Sequence, residues 1–308
     1  MISSQEKRQD KRLWVELSLL CSKILEEALS DFLISELERG VIVEEDPDNE
    51  ELLVIKAYLS REDLESGALG SIEGYLEELI QLHPDATVRI LGEKVVEEDW
   101  HDKWKEYFRP LRVGRRLVVK PTWEEYVPDI DDIVIEIDPG RAFGVGSHPS
   151  TRLMLKRLEE LADADVLGGA EVLDVGTGSG ILAIAAARLG AKTVLAIDND
   201  LDAVETARNN VHLNNVHGKV SVSGTPVWEV EGPFDIVLAN IDRDTLLLLC
   251  KELVNQVGRG GRLVLSGILQ EQKDAVVEAF EGQGLGLAHS EADEKDDQWV
   301  LLEFQKRS

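Results

Sequence analysis

The segment EVLDVGTGSGILAIAAARLGAKTVLAID, residues 171–198, constrains the fold more than any other part of this 308-residue chain. Its pattern predicts a strand, a turn with glycine at every second position from Gly176 to Gly180, a helix, and a second strand that ends beside Asp198. Glycine lets the backbone turn tightly and lets a ligand lie directly against it. An acid at the end of the second strand can accept both hydroxyls of a ribose. The segment therefore predicts a βαβ unit that binds a nucleoside.

The spacing of the glycines separates two classes of ligand. Dinucleotide-binding proteins carry G-x-G-x-x-G at a helix N-terminus, which is shaped for a pyrophosphate. Here the third glycine comes one residue early, Ile181 stands in the fingerprint position, and Asp174 precedes the glycines. A carboxylate near the turn suits a ligand with an ammonium or sulfonium group, which indicates S-adenosylmethionine. A purely structural turn beside two surface acids is the alternative.

The second half of the chain predicts an α/β fold. From about Arg115, short apolar strands alternate with helical stretches, a pattern typical of a mostly parallel sheet with helices on both faces. The predicted strands include residues 172–175, 193–197, 235–239 and 262–266. We therefore expect a Rossmann-like domain over residues 115–308.

The first part of the chain predicts a smaller α+β domain over residues 1–97. Its elements follow in the order β-α-β-β-α-β, which is typical of the ferredoxin-like unit. The predicted strands are 13–19, 41–44, 52–59 and 87–91, and the predicted helices are 23–37 and 70–82.

Between these domains, the aromatic residues Trp100, Trp104 and Phe108 recur every four positions. This spacing places them on one face of a helix. It predicts a linker helix over residues 98–114, although a core helix of either domain has the same pattern.

Charge and cysteine content narrow the partners and the setting. The chain has 60 acidic and 33 basic residues, a formal charge of −27. Such a chain is a poor candidate for binding nucleic-acid backbones and attracts basic partners, although solubility alone also explains the charge. The longest apolar run, 181–187, is too short to cross a bilayer, so no membrane association is expected. Cys21 and Cys250 suggest a reduced, cytosolic setting, and the scattered histidines predict no metal site.

Another apolar strand, FDIVLAN, ends in Asn240. In open α/β sheets, ligands bind beyond the carboxyl ends of the strands, so Asn240 is predicted to lie beside the methyl donor. Its amide oxygen, together with a backbone carbonyl, can accept hydrogen bonds from a target amine. An asparagine that only caps the strand is the alternative.

Four motifs of the chain occur together: AFGVGSHPST at residues 142–151, DVGTGSG, FDIVLANI and LSGIL. In this combination the chain resembles the PrmA-type methyltransferases. WKEYFRPLRVG and the small N-terminal domain extend the resemblance upstream. The resemblance implies a class I methyltransferase fold and a cytoplasmic enzyme that uses S-adenosylmethionine. It also implies the substrate, namely lysine side-chain and/or N-terminal amines of bacterial large-subunit ribosomal protein eleven, with the N-terminal domain recognising that protein.

The resemblance also implies roles for particular residues. Cofactor contacts are expected at Thr151, Gly176, Asp198 and Asn240, joined by Asp174, Gly178 and Gly144. Phe143 and Gly144 are expected to line the methyl-transfer site, and Asn240 and Phe143 are the expected catalytic residues.

Two residues of the same region have competing interpretations. Thr151 stands at the start of a predicted helix, 152–162, where backbone N–H groups favour the carboxylate of a ligand. A plain helix cap is the alternative, and Ser150 has the same capability. His148 is expected to fix the loop, and a catalytic base is the second interpretation.

The chain departs from the family in two places. Members usually carry FGTGTHPTT, whereas this chain has FGVGSHPST, and the IDRD that follows the FDIVLAN strand is more charged than usual. The cofactor site therefore fits the family better than the substrate site does.

Three other functions compete with methylation of a ribosomal protein. A lysine methyltransferase of an electron-transfer flavoprotein subunit is the nearest, although the N-terminal domain and the FRPLRV linker favour the ribosomal substrate. A nucleic-acid or small-molecule methyltransferase is the second, and the acidic charge and the lack of an N-P-P-[YF] motif disfavour the nucleic-acid substrate. A ribosome-associated protein that binds the cofactor without catalysis belongs to a different class.

Overall fold

The computed structural model of the chain describes residues 14–37, 41–47, 49, 51–96, 109–138, 146, 148–294 and 296–307. The chain forms two compact units, which divide between Phe108 and Arg109. None of the helices in these ranges is long and apolar enough to cross a bilayer.

The first unit has one antiparallel sheet and three α-helices among its described residues. Its elements are β1 (Trp14–Ser22), α1 (Glu26–Leu37), β2 (Ile42–Glu45), β3 (Leu52–Leu59), α2 (Arg61–Ser66), α3 (Ala68–Leu82) and β4 (Val88–Val96). The strands lie in the order β2-β3-β1-β4, and each neighbouring pair is antiparallel. The predicted ferredoxin-like arrangement is confirmed.

Side chains along β1 point alternately to the two faces of the sheet, and those on one face form part of the core of this unit. Leu17, Leu19 and Cys21 are buried on one face of the strand, together with the leucines that recur along α1. The sequence analysis missed α2, whose start is a capping box: the Ser60 hydroxyl accepts from the Asp63 N–H at 3.2 Å and the Asp63 carboxylate accepts from the Ser60 N–H at 2.5 Å. That pair of residues was the available signal.

Residues 98–108 of the predicted linker helix lie outside the described residues. After Pro110 the chain forms β5 (Leu111–Val113), so the prediction of helix at its C-terminal end is wrong. The residue before a proline is biased away from helical geometry, and Leu111 and Val113 alternate with Arg112 as in a strand.

The second unit has a seven-stranded and a three-stranded sheet among its described residues. Its further strands are β6 (Leu117–Pro121), β7 (Ile133–Ile137), β8 (Glu171–Val175), β9 (Thr193–Ile197), β10 (Val220–Ser223), β11 (Phe234–Asn240), β12 (Val257–Leu269), β13 (Leu285–Ala292) and β14 (Trp299–Lys306). Its helices are α4 (Pro149–Asp163), α5 (Ile181–Arg188), α6 (Leu201–Leu213), α7 (Arg243–Leu248), α8 (Cys250–Gln256) and α9 (Lys273–Gly282).

The large sheet has the order β10-β9-β8-β11-β12-β14-β13. The first five strands are parallel, and β14 is antiparallel to both of its neighbours. Successive side chains of β11 point to opposite faces: Ile236 and Leu238 join the core that contains residues of α4 and α5, while Val237 and Ala239 join the core that contains residues of α8 and α9,. The predicted mostly parallel sheet with helices on both faces is confirmed.

The small sheet, β5-β6-β7, was not predicted. Its β5–β6 turn is held by the buried Glu159, whose carboxylate accepts from the Arg115 and Arg116 N–H groups, both at 2.7 Å. Strand β7 then runs into Asp138 and the glycine-containing segment before α4. The small sheet therefore sets where that segment begins.

Candidate functional site

Three neighbouring parallel strands end at one edge of the large sheet. Val175 of β8 is paired with Ile197 of β9 and with Ala239 of β11. The glycine turn, Asp198 and Asn240 directly follow or end these strands, so the sheet brings them together. This edge is where open α/β sheets bind their ligands.

The glycine turn has a backbone that only glycine adopts easily. Gly176, Gly178 and Gly180 have φ angles of +71°, +53° and +82°. A Cβ added to Gly176 would lie 2.5 Å from Cγ2 of Ile241, so the turn has no room for a side chain there. Glycine lets the backbone turn tightly at these three positions, as the sequence predicted,.

Asp198 is held against this turn. Its Oδ2 accepts from the Gly178 N–H at 2.9 Å, and its Oδ1 accepts from the Asp200 N–H at 3.0 Å. The side chain is half-buried, and each carboxylate oxygen has a second lone pair,. The geometry thus leaves the carboxylate able to accept hydroxyl groups of a ribose.

Asp174 lies under the turn and has no exposed surface. Its Oδ2 accepts from the Thr177 hydroxyl at 2.6 Å. Burial raises the pKa of the Asp174 carboxyl to about 7 and the charge of Asp198 adds to the rise, while the Thr177 hydroxyl opposes it. The sequence analysis expected a carboxylate close to a cationic ligand. The structure instead buries it as a support of the turn, where any influence on a ligand is electrostatic.

Asn240 and Thr151 meet although they are 89 residues apart. The Asn240 amide Nδ2 donates to Thr151 Oγ1 over 3.3 Å. Thr151 is buried in the first turn of α4, and the Asn240 Oδ1 is buried with no hydrogen-bond partner among the described residues. A buried, unused acceptor at the ligand edge of a sheet is unusual enough to indicate a binding role.

His148 is the N-terminal cap of α4. Neither Thr151 nor Ser150 occupies the cap position. The helix begins at Pro149, three residues earlier than predicted, and the His148 Nδ1 accepts from the Ser150 N–H at 3.3 Å. The imidazole packs edge-on against Trp299 with 4.5 Å between ring centroids. Burial, with the charge of Arg152, lowers the pKa of His148 to about 4. This geometry favours the structural interpretation of His148 over a catalytic base.

Ile241, the residue after Asn240, is enclosed by two glycines. Gly176 faces its side chain, and Gly267 of the LSGIL motif faces its backbone: a Cβ on Gly267 would lie 2.8 Å from the Ile241 carbonyl carbon. Gly267 also has a φ of +81°. This enclosure holds the peptide that carries Asn240.

Two asparagines support the site, Asn210 of α6 and Asn214 directly after that helix, and the sequence analysis missed them. The buried Asn210 donates to the carbonyls of Ser179, at 2.9 Å, and Asp138, at 2.8 Å. Asn214, one turn later, accepts from the Glu136 N–H at 2.9 Å. Together they tie β7 to the glycine turn. Their four-residue spacing on one helical face was the available signal.

Phe143 and Gly144 lie outside the described residues, as do Val145 and Ser147, so their predicted roles stay predictions. Gly146, at the end of the same segment, is buried and has a φ of +84°.

The described residues include one group with the composition of a metal site. Donor atoms of Glu160, His289 and Glu291 lie within 4.8 Å of one another. The two carboxylates already pair with Arg157 and Lys156, each at 2.6 Å. These cations neutralise the group, and we assign it no metal.

The arrangement fits S-adenosylmethionine. A turn with three glycines lies beside a fixed carboxylate, a buried threonine hydroxyl at a helix N-terminus and an unused amide oxygen. Gly176, Gly178, Asp198, Thr151 and Asn240 are the residues that would hold it.

Comparisons with known proteins point to one family. The family model described as "Ribosomal protein L11 methyltransferase (PrmA)" matches residues 13–307. The ribosomal protein L11 methyltransferase of Geotalea uraniireducens is 41% identical over 320 aligned positions, covering 97% of this chain and 99% of the relative. That of Geobacter sulfurreducens is 39% identical, covering 94% and 97%.

A solved structure agrees with these relatives. The ribosomal protein L11 methylase of Lactobacillus delbrueckii subsp. bulgaricus is 32% identical, with a TM-score of 0.59, and covers 65% of this chain and 100% of its own. With the class I architecture described above, these matches identify the chain as a member of the ribosomal protein L11 methyltransferase (PrmA) family.

Proposed function

We propose that this chain is an S-adenosylmethionine-dependent protein N-methyltransferase acting on lysine side-chain and/or N-terminal amines of ribosomal protein L11. Family membership and the names of its relatives support the reaction and the protein substrate. The observation that carries the proposal is the Asn240 amide oxygen, buried and unused beside Thr151 at the ligand edge of the sheet. A cytoplasmic location belongs to the proposal. The ribosomal substrate and the two buried, unpaired cysteines support it.

The bound cofactor supplies an electrophilic methyl group on a sulfonium. The amine that attacks it must be neutral. For a lysine of pKa about 10.4, deprotonation near pH 7 costs about 4–5 kcal/mol. Exclusion of water from the site lowers the amine pKa and reduces this cost.

Asn240 orients the amine. Its Nδ2 is engaged by Thr151, so its Oδ1 is the atom left to accept an N–H of the substrate,. A hydrogen bond accepted by this oxygen would restrict the orientation of the amine at the ligand edge of the sheet. Fixed positioning of this kind accounts for about 7–11 kcal/mol of a barrier.

His148 and Asp174, two titratable groups in the described part of the site, do not suit the role of base. His148 has a pKa of about 4 and is too weak to take a proton from an ammonium,. Asp174 lies beneath the glycine turn and accepts the Thr177 hydroxyl, so its carboxyl supports the turn and does not face the amine. The amine therefore reaches the site neutral, and its second proton leaves to water after transfer. Phe143 and Gly144 remain the proposed lining of the methyl-transfer site.

The experiment that tests the reaction is intact-mass spectrometry of ribosomal protein L11 incubated with the chain and S-adenosylmethionine. We expect a mass increase in whole methyl units, and fragmentation then locates the amines. No increase, with cofactor binding established by calorimetry, would contradict the proposed substrate.

Asn240→Ala tests the mechanism. We expect the rate of methyl transfer at saturating cofactor to fall about 100-fold, because the amide oxygen positions the amine. The cofactor Kd should rise as well, because Asn240 is also among the residues that would hold the cofactor. Asn255→Ala makes the same chemical change at an exposed position of α8 and should leave the rate unaltered. A wild-type rate in Asn240→Ala would refute the role.

We also propose that the N-terminal domain recognises the protein substrate. Support comes from its being a separate compact unit, while the site residues described above all belong to the second unit. Removing the residues before about Glu97 should preserve cofactor binding and abolish methylation of L11. Unchanged turnover on L11 would contradict this role.

A further inference from the structure

The segment between β6 and β7, residues 122–132, has the sequence TWEEYVPDIDD and is here called the acidic loop. It contains five carboxylates and no basic residue. It has no helix or strand of its own. Such a loop normally samples many conformations, so the contacts that hold this one are informative.

Asp132 anchors the acidic loop. Its Oδ1 pairs with the Arg112 guanidinium at 2.7 Å, and its Oδ2 accepts from the same guanidinium at 3.0 Å, from the Tyr126 hydroxyl at 2.6 Å and from the Asp129 N–H at 2.9 Å. Only 2% of its side chain is exposed. The Arg112 and Tyr126 hydrogen bonds lower the pKa of Asp132 to about 2, so the anchor stays charged across the physiological pH range.

A second anchor holds the start of the acidic loop. Glu124 pairs with Arg109 at 2.7 Å, and its backbone carbonyl accepts from Lys120 Nζ at 3.2 Å. The segment between the two anchors is therefore held at both ends, and its shape exists before any partner arrives.

The segment so held presents two apolar side chains to solvent. Val127 is 88% exposed and Ile130 is 100% exposed, the highest values for large hydrophobic side chains in the described part of the chain. Single exposed hydrophobic side chains are common on protein surfaces. This pair differs because it lies on a loop that is anchored at both ends and is flanked by exposed carboxylates. Glu125 and Asp131 have no ion pair with any described residue.

We propose that the acidic loop docks a basic segment of the protein substrate, one that places an apolar side chain between lysine or arginine residues. Charge complementarity chooses this occupant: exposed carboxylates attract cationic side chains and repel nucleic-acid phosphates and anionic lipid headgroups. A loop fixed in advance loses little conformational freedom on binding. The inference rests on the proposed function, because it assumes a protein substrate.

The fold also connects the acidic loop with the site. Strand β7 begins one residue after the loop and ends at Ile137, and Asp138 is tied to the glycine turn through Asn210. Five strand residues span about 17 Å. A substrate docked on the loop therefore presents an amine about five extended residues away from the docked segment.

Two double variants separate the apolar and the charged contributions. Val127→Ser with Ile130→Ser should raise KM for L11 about tenfold or more and leave kcat and the cofactor Kd unchanged. Glu125→Gln with Asp131→Asn should raise KM at low salt and weaken its dependence on ionic strength. These side chains are exposed and outside both anchors, so the fold should persist.

Matched controls lie elsewhere on the same unit. Leu248→Ser removes another largely exposed hydrophobic side chain, and Glu271→Gln with Glu278→Gln removes two exposed charges. Both should leave KM for L11 at the wild-type value. A KM unchanged in the loop variants, or raised equally in the controls, overturns the proposal.

Direct binding separates this proposal from the proposed function. Titration of L11 into the chain by calorimetry requires no turnover. Weaker binding in the loop variants supports the docking surface even if no methyl transfer is found, whereas equal binding overturns it even if transfer is rapid. A loop variant that alters only the sedimentation of the chain itself would assign the loop to a contact between copies and overturn the proposal.

Discussion

The enclosure of Ile241 yields a prediction in which one added methyl group disturbs Asn240, the residue proposed to orient the amine. In Gly267→Ala the new Cβ would lie 2.8 Å from the carbonyl carbon and 3.1 Å from the nitrogen of Ile241. These are backbone atoms, which cannot rotate away as a flexible side chain does. Either β12 or the Asn240–Ile241 peptide must move.

A second glycine of the chain serves as a control that separates two contributions to the loss of stability: backbone strain and overpacking. Gly169 has a φ of +78°, close to the +81° of Gly267, but an added Cβ there has no neighbour within 4 Å. Gly169→Ala should therefore lower the free energy of unfolding by the backbone strain alone, about 1–2 kcal/mol. Overpacking adds about 1–3 kcal/mol, so Gly267→Ala should cost about 2–5 kcal/mol.

Urea denaturation of both variants measures this difference, and single-turnover methyl transfer at saturating cofactor measures its catalytic consequence. A displacement of about 1 Å in a positioning group costs about 100-fold in rate, and we expect a loss of this order in Gly267→Ala only. Equal destabilisation of the two variants, with a wild-type rate in Gly267→Ala, would refute the reasoning.

Three further predictions follow from buried polar groups. Folding lowers the pKa of His148 from 6.5 to about 4, so between pH 6.5 and pH 4 the unfolded chain binds more protons than the folded chain. The free energy of unfolding therefore falls as the pH drops below 6.5, and at pH 5 the loss is about 2 kcal/mol. His148→Asn keeps a side-chain acceptor at the helix cap but has no titrating imidazole, so this loss should be absent when urea denaturation is compared at pH 7 and pH 5. A pH dependence equal to that of the wild type would contradict the role of His148. Glu303→Gln should lower the free energy of unfolding by about 3 kcal/mol in urea, because the fully buried carboxylate pairs with Arg157 and Arg262,; a loss below about 1 kcal/mol would mean that the ion pairs are dispensable. Asn210→Ala should speed amide hydrogen exchange around Ser179, since the tie to the glycine turn is lost, and unchanged exchange would count against that tie.

Sequence patterns predicted the elements that are determined by local spacing. The strand at 193–197 agrees with β9 residue for residue, because five strand-forming residues lie between a glycine-containing turn and a run of Asp and Asn. The β5-β6-β7 sheet escaped prediction, because its parallel pair joins strands separated by an eleven-residue loop. The start of α4 was placed three residues too late, because histidine is not among the residues that usually cap helices,.

By itself, the sequence determined the class of the site. Three features define that class: a turn that requires glycine, an acid after the next strand and an asparagine at the end of β11. Each follows from backbone angles or from the period of a strand, which are local properties. Tertiary structure alone decided that the Asn240 amide meets Thr151, that Asp174 is buried with a raised pKa and that His148 is held neutral. Hydrogen-bond partners and burial depend on which distant segments pack together, and no local pattern carries that information.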